Sequence, residues 1–221
     1  LIKILKKVFD DMATYDLDEQ EKIDALKAWW KHNGNTVILA VSIFAVTVVG
    51  VQGWRQYQNS QALKASMTYD ALQNLAKRGE VKKVRDSAGQ LIDQYSGTAY
   101  APRAALIAAK ANHEAGDTQS ARAQLQWAAE HAKEEEVRDT AKLRLAGVLL
   151  DEKNYAEALK QLESTPNPSF AALFFDMRGD ILTAQEKLAE ARAAYKAALD
   201  KIENKSAYRQ VIKMKMENLG S

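Results

Sequence analysis

The sequence predicts an all-α chain in which a single N-terminal transmembrane helix is followed by an α-solenoid of helical hairpins. Three observations predict it. Residues 36–54 carry no charge in a chain that is 27% charged. Only three prolines occur, Pro102, Pro166 and Pro168, among abundant Ala, Leu, Gln, Lys and Glu, all good helix formers. Beyond the uncharged stretch, a pattern of alanines and large apolar residues returns after 37 and then 33 residues, a period typical of stacked helical units.

Residues 1–35 hold six Lys and seven acidic residues and are expected to form a short cytoplasmic segment. The first methionine is Met12, so residues 1–11 are expected to be an upstream extension. The alternative is an amphipathic membrane-surface helix with Ile2, Leu5 and Phe9 on one side.

Thr36 to Trp54 is the expected membrane span. As a helix it is about 28 Å long, close to the thickness of a bilayer's hydrocarbon core. Its six Val, two Ile, Leu39 and Phe44 favour insertion. Lipid offers backbone groups no other partner, so even this Val-rich stretch must be helical. The stretch is too long for a buried soluble strand. A buried core helix and a cleaved signal peptide are the other readings, the latter lacking an A-x-A site. Trp29 and Trp30 before the span, and Trp54 and Tyr57 after it, form an aromatic belt. Lys22, Lys27 and Lys31 precede the span and outnumber Arg55 and Lys64 behind it, which places the N-terminus inside.

Residues 55–100 are expected to be a helical pair leading into the repeats. Ala62, Ala65, Tyr69, Leu72 and Ala76 make one apolar stripe, ended by Gly79. Val81, Val84, Ala88, Leu91 and Tyr95 make the next, and Ser96-Gly97-Thr98 breaks it. Pro102 suits the first turn of the helix that follows.

Residues 101–221 carry the repeat. Ala121, Ala158 and Ala191 each follow a polar turn, and each has a large residue four positions later: Leu125, Leu162 and Tyr195. Ala128 and Ala198 follow three further on, where Thr165 departs from the pattern. Upstream helices supply Ala109, Ala146 and Gly179 as small partners. Small residues let paired helices approach, and the large residue fills the groove between them. This arrangement resembles the tetratricopeptide repeat. Pro166 and Pro168 truncate the second unit. A last helix, with Tyr208, Ile212, Met216 and Leu219 on one side, is expected to cap the stack. Phe170, Phe174 and Phe175 are expected to pack between the last two repeats.

Catalytic chemistry finds no foothold. Cysteine is absent, His32, His113 and His131 are scattered, and HEAGD at 113–117 lacks the zinc-protease spacing. No glycine-rich phosphate loop or nucleophile elbow occurs, and no cofactor is expected. The net charge of +2 names no partner. The basic run KRGEVKKVR at 77–85 is expected to be a solvated face with a turn at Gly79, not a nucleic-acid site.

From Met12 onward the chain resembles the YfgM family of ancillary SecYEG translocon subunits. The resemblance is carried by Ile23-Asp24-Ala25-Leu26-Lys27, the Trp29-Trp30 pair, the HNGN turn, and Gly53-Trp54-Arg55 with Tyr57. TAYAPRAALIAAK at 98–110, MRGDIL at 177–182 and IKMKMENL at 212–219 extend it. It implies a single-span bacterial inner-membrane protein with its repeats in the periplasm. Its implied partners are the SecYEG channel, a PpiD-like membrane-anchored chaperone, and newly translocated envelope proteins. The alternative function is a membrane-tethered regulatory scaffold in envelope-stress signalling. In repeat geometry the binding groove draws on the first helix of each pair. Its candidate residues are Arg103, Leu106, Lys110, His113, Leu143, Leu150, Leu173, Asp176 and Asp180.

Overall fold

In the computed structural model, the backbone is described for residues 2–164 and 166–220, and side chains for 21–164 and 166–220. The expectations for the side chains of Ile2, Leu5 and Phe9, and for Thr165, lie outside the described residues. The described chain is helical throughout, with no strand among the described residues. It divides into two compact units, residues 1–57 and 58–221.

The first unit is carried by α1 (Ile2–Lys77), which continues into the second unit. The part of α1 from Glu21 onward contains a stretch of mean hydropathy 2.1, long and apolar enough to cross a membrane. A soluble core helix would bury such residues. Here Phe44, Val46 and Val49 are each more than 70% exposed. Trp29–Trp30 and Trp54–Tyr57 are paired rings at 6.5 and 6.0 Å. Trp30 and Trp54 stand about 36 Å apart at 1.5 Å per residue, which suits anchors in the two interfacial regions.

The second unit is a stack of hairpins. The end of α1 pairs with α2 (Val81–Tyr95) and α3 (Tyr100–Glu114) with α4 (Thr118–His131). α5 (Glu135–Asp151) pairs with α6 (Tyr155–Gln161), and α7 (Ala171–Ala184) with α8 (Leu188–Lys201). A single 3-10 turn, Pro168–Phe170, precedes α7, and α9 (Tyr208–Glu217) closes the array. The short α6 follows from Pro166 and Pro168, which cannot extend a helix into their own neighbourhood.

All four hairpins turn in the same way. Gly79, Gly116, Lys153 and Glu186 each have positive φ, between 60° and 81°. Each donates its N–H to the carbonyl three residues back, and the next residue donates to the carbonyl five back. This is the Schellman termination, which satisfies carbonyls at a helix end. The α1–α2 turn shares it, so this lead-in pair has the repeat's own turn. Its packing is inverted. Leu72 and Val84 are large where the later hairpins have Ala109 and Ala121, and Ala88 is small where they have Leu125.

The alanine rows carry the close packing. Ala121, Ala158 and Ala191 are fully buried, and Leu125, Leu162 and Tyr195 are nearly so. A Cβ at Gly179 would lie closer than 3.0 Å to three atoms of the Tyr195 ring. Arginines tie successive hairpins. Arg138, Arg178 and Arg209 donate to Ala132 O, Leu162 O and Ile202 O, where α4, α6 and α8 end. Phe174 and Phe170 join the core around α5, whereas Phe175 packs with the α8–α9 core. Within the basic run, Arg85 is not simply solvated: it pairs with Asp117 at 2.7 Å and donates to the buried Asn112.

Candidate functional site

The first helices α3, α5, α7 and α9 follow one another through the stack, with α3 against α5 and α5 against α7. Taking Ala109, Ala146 and Gly179 as equivalent, the next residues are Lys110, Gly147 and Asp180. Two residues before them stand Ile107, Arg144 and Met177. α9 joins the same register. Arg209 and Arg138 cap the preceding second helices alike, and Ile212 and Ala141 are both fully buried. Lys215 is therefore the equivalent of Arg144.

This register exposes three different junctions. Between α7 and α9, Lys215 Nζ donates to Asp176 Oδ2 at 2.8 Å and Asp180 Oδ2 at 2.7 Å. Tyr208 donates to Asp176 at 2.6 Å and Tyr195 to Asp180 at 2.8 Å. Burial opposes the Lys215 charge, but the two carboxylates outweigh it and raise its pKa. Burial, with hydrogen bonding to the carboxylates, pushes the Tyr195 and Tyr208 hydroxyls up to about 12. Between α5 and α7 the junction is apolar, with Met177 Cε 3.7 Å from where a Gly147 Cβ would stand.

Between α3 and α5 the junction is open. A cleft of about 400 Å³ has Ala109, Leu125, Gly147 and Val148 as its apolar lining. Lys110, His113, Arg144 and Asp151 supply its polar lining. Lys110 has Glu114 at 3.7 Å, an exposed pair one turn away.

The structure therefore distributes the nine expected groove residues. Lys110 and His113 line the open cleft. Leu106 is buried in the core, and Leu143 and Leu150 pack partly buried against it. Asp176 and Asp180 are engaged by α9, and Asp176 is almost wholly buried. Leu173 lines a separate cleft with Tyr208. Arg103 forms a two-pronged pair with Glu134, and that hydrogen bonding raises its pKa. Arg144, Gly147 and Asp151, outside the nine, also line the open cleft. Their signal was the repeat register itself, which puts Gly147 level with Lys110 and Arg144 level with Lys215. Among the described residues no three His, Asp or Glu side chains are grouped to hold a metal ion.

The family described as a tetratricopeptide repeat-like domain matches residues 27–221. An ancillary SecYEG translocon subunit of Haemophilus influenzae is 33% identical over 208 residues, covering 93% of this chain and 99% of the relative. Proteins of the same name from Neisseria gonorrhoeae and Escherichia coli are 29% and 26% identical, over 92% and 94% of this chain and 98% and 99% of their own lengths. Among solved structures, MamA from Desulfovibrio magneticus superposes with a TM-score of 0.52 over 71% of this chain and 89% of its own, at 20% identity. That likeness concerns the fold alone. The all-round apolar stretch, the four matching hairpins and these relatives agree: the chain belongs to the ancillary SecYEG translocon subunit family, with a single-pass inner-membrane topology and a tetratricopeptide-like domain.

Proposed function

We propose that the chain is an accessory subunit of a SecYEG translocon. Residues 1–35 lie in the cytoplasm, Thr36 to Trp54 span the membrane, and the hairpins from residue 55 onward stand in the periplasm. The first-helix face of residues 101–221 binds a PpiD-like membrane-anchored chaperone and newly translocated envelope proteins. The observation that carries this reading is the shared name of relatives matched over nearly their whole length, the apolar stretch included. Lys110 and His113 are the contact residues proposed first, because both line an open cleft. Arg103, Asp176 and Asp180 serve the fold while paired as they are, and Leu106, Leu143 and Leu150 shape the floor beneath.

Photo-crosslinking in intact membranes tests the proposal, from a photoreactive residue at Val46 and another at His113. A channel subunit captured at Val46, with a chaperone or secretory polypeptide at His113, is the expected result. A single signalling protein at both positions, with no channel adduct, would refute it in favour of a regulatory scaffold in envelope-stress signalling.

A further inference from the structure

We infer that the cleft between α3 and α5 is a binding site for an extended acidic polypeptide segment, whose carboxylate is held between Lys110 and Arg144. The inference rests on the reading of the first-helix face as the binding surface.

The array contains its own template. At the α7–α9 junction, the cation Lys215 is held by two carboxylates at the register positions of Asp176 and Asp180. At the α3–α5 junction the same register positions carry Arg144, Leu106 and Lys110. The carboxylate that would complete the pair is replaced by a second cation. Among the described residues Arg144 has no carboxylate within ion-pair distance, and Lys110 has only the exposed Glu114 at 3.7 Å, a contact worth little in water. Two like charges beside one cleft repel each other, and an incoming carboxylate relieves both.

The rest of the cleft explains why a polypeptide, and not a bare anion, is the ligand. Its volume of about 400 Å³ falls within the range of ligand clefts. The walls beside the cations are apolar, from Ala109, Leu125 and Val148. An acidic residue flanked by apolar ones satisfies both surfaces. Asp151, two turns beyond Arg144 on α5, sits at the far end and disfavours a second acidic group there.

The test uses the full-length protein in detergent micelles and three labelled decapeptides of Leu and Ala. One carries a central Asp, one Asn and one Lys at the same place. The Asp peptide should bind about tenfold more tightly than the Asn peptide, and the difference should shrink as salt rises. The doubly reversed variant, Lys110→Glu with Arg144→Glu, should instead prefer the Lys peptide. That gain also shows that the variant is folded. Equal binding of the Asp and Asn peptides, or an unchanged preference in the reversed variant, would overturn the inference. In membranes, the His113 crosslinker separates the two layers of argument. Polypeptide adducts lost on charge reversal support the inference. Adducts of unchanged yield overturn it and leave the groove reading standing. No adduct with either protein overturns both.

Discussion

Replacing Gly179 by Ala puts one methyl group where the structure has no room for it. Helix propensity alone favours the change by about 1 kcal/mol, since Gly is the weaker helix former. Packing opposes it, because the new Cβ would press on three atoms of the Tyr195 ring. The ring cannot swing aside at low cost: its hydroxyl donates to Asp180 and lies 3.3 Å from Thr183. Overpacking a fixed neighbour costs about 1–3 kcal/mol, here toward the upper end. The net expectation is a loss of about 1–2 kcal/mol, or roughly 0.5–1 M in the urea midpoint at a slope near 2 kcal/mol/M. The second mutation makes the argument sharper. Tyr195→Leu alone should cost about 1–3 kcal/mol, through lost volume and lost hydrogen bonds. Combined with Gly179→Ala, it recreates the Ala109–Leu125 and Ala146–Leu162 pairing of the α3–α4 and α5–α6 hairpins. The double variant should then be less damaged than the sum of the singles by about 1–2 kcal/mol. Urea unfolding followed by circular dichroism, on all four proteins in the same micelles, closes the cycle. An unchanged or raised midpoint for Gly179→Ala, or strict additivity, would refute the small-against-large account of the stack.

Three further outcomes follow from other parts of the array. Lys153→Gly and Glu186→Gly should each stabilise the protein by about 0.5–1 kcal/mol, measured by urea midpoint, because both residues hold the left-handed conformation that Gly79 and Gly116 hold without strain. Lys215→Met should cost about 2–4 kcal/mol in the same measurement, since it removes the counter-ion of Asp176, whose side chain is 4% exposed, and leaves it only the Tyr208 hydrogen bond; that bond and the partial exposure of Lys215 keep the figure below that of a fully buried pair. Unfolded tyrosine ionises near pH 10 and Tyr195 and Tyr208 near 12, so their stabilising contribution is whole below pH 10 and is lost as pH climbs from 10 to 12. Tyrosine absorbance at high pH should accordingly show two groups ionising late, one of them removed by Tyr208→Phe.

The alanine rows were legible because they are local. Ala121, Ala158 and Ala191 repeat a spacing within the chain, and burial of each follows from the geometry of a paired helix. The apolar span was legible for the same reason. What was hidden depends on partners far away in sequence. Asp176 and Asp180 look like solvated groove residues until Lys215, 39 and 35 residues later, is brought against them. The first hairpin was legible as a helical pair but not as a repeat, since Leu72 and Ala88 exchange the large and small roles and erase the alanine signature. Its turn survives in plain view at Gly79, whose positive φ matches the other three. The polar turns before Ala158 and Ala191 were legible too, but the left-handed conformation of Lys153 and Glu186 within them was not, because neither residue type favours it.

The junctions between first helices show how one backbone scaffold can carry different chemistry along its length. Hairpin packing is decided by the small and large residues that face the paired helix, and those positions tolerate little. The register positions two before and one after the small residue face the next first helix instead, so they vary without disturbing the pair. In this chain they hold Lys215 against Asp180, Met177 against Gly147, and Arg144 beside Lys110. The first two combinations are complete within the chain, one by charge and one by apolar contact. The third is not, because two cations cannot satisfy each other. A fold held together by its alanine rows does not need this junction filled. An open α3–α5 cleft with its two cations therefore costs the stack little, and among the three junctions it is the one whose chemistry is left for something outside the chain to complete.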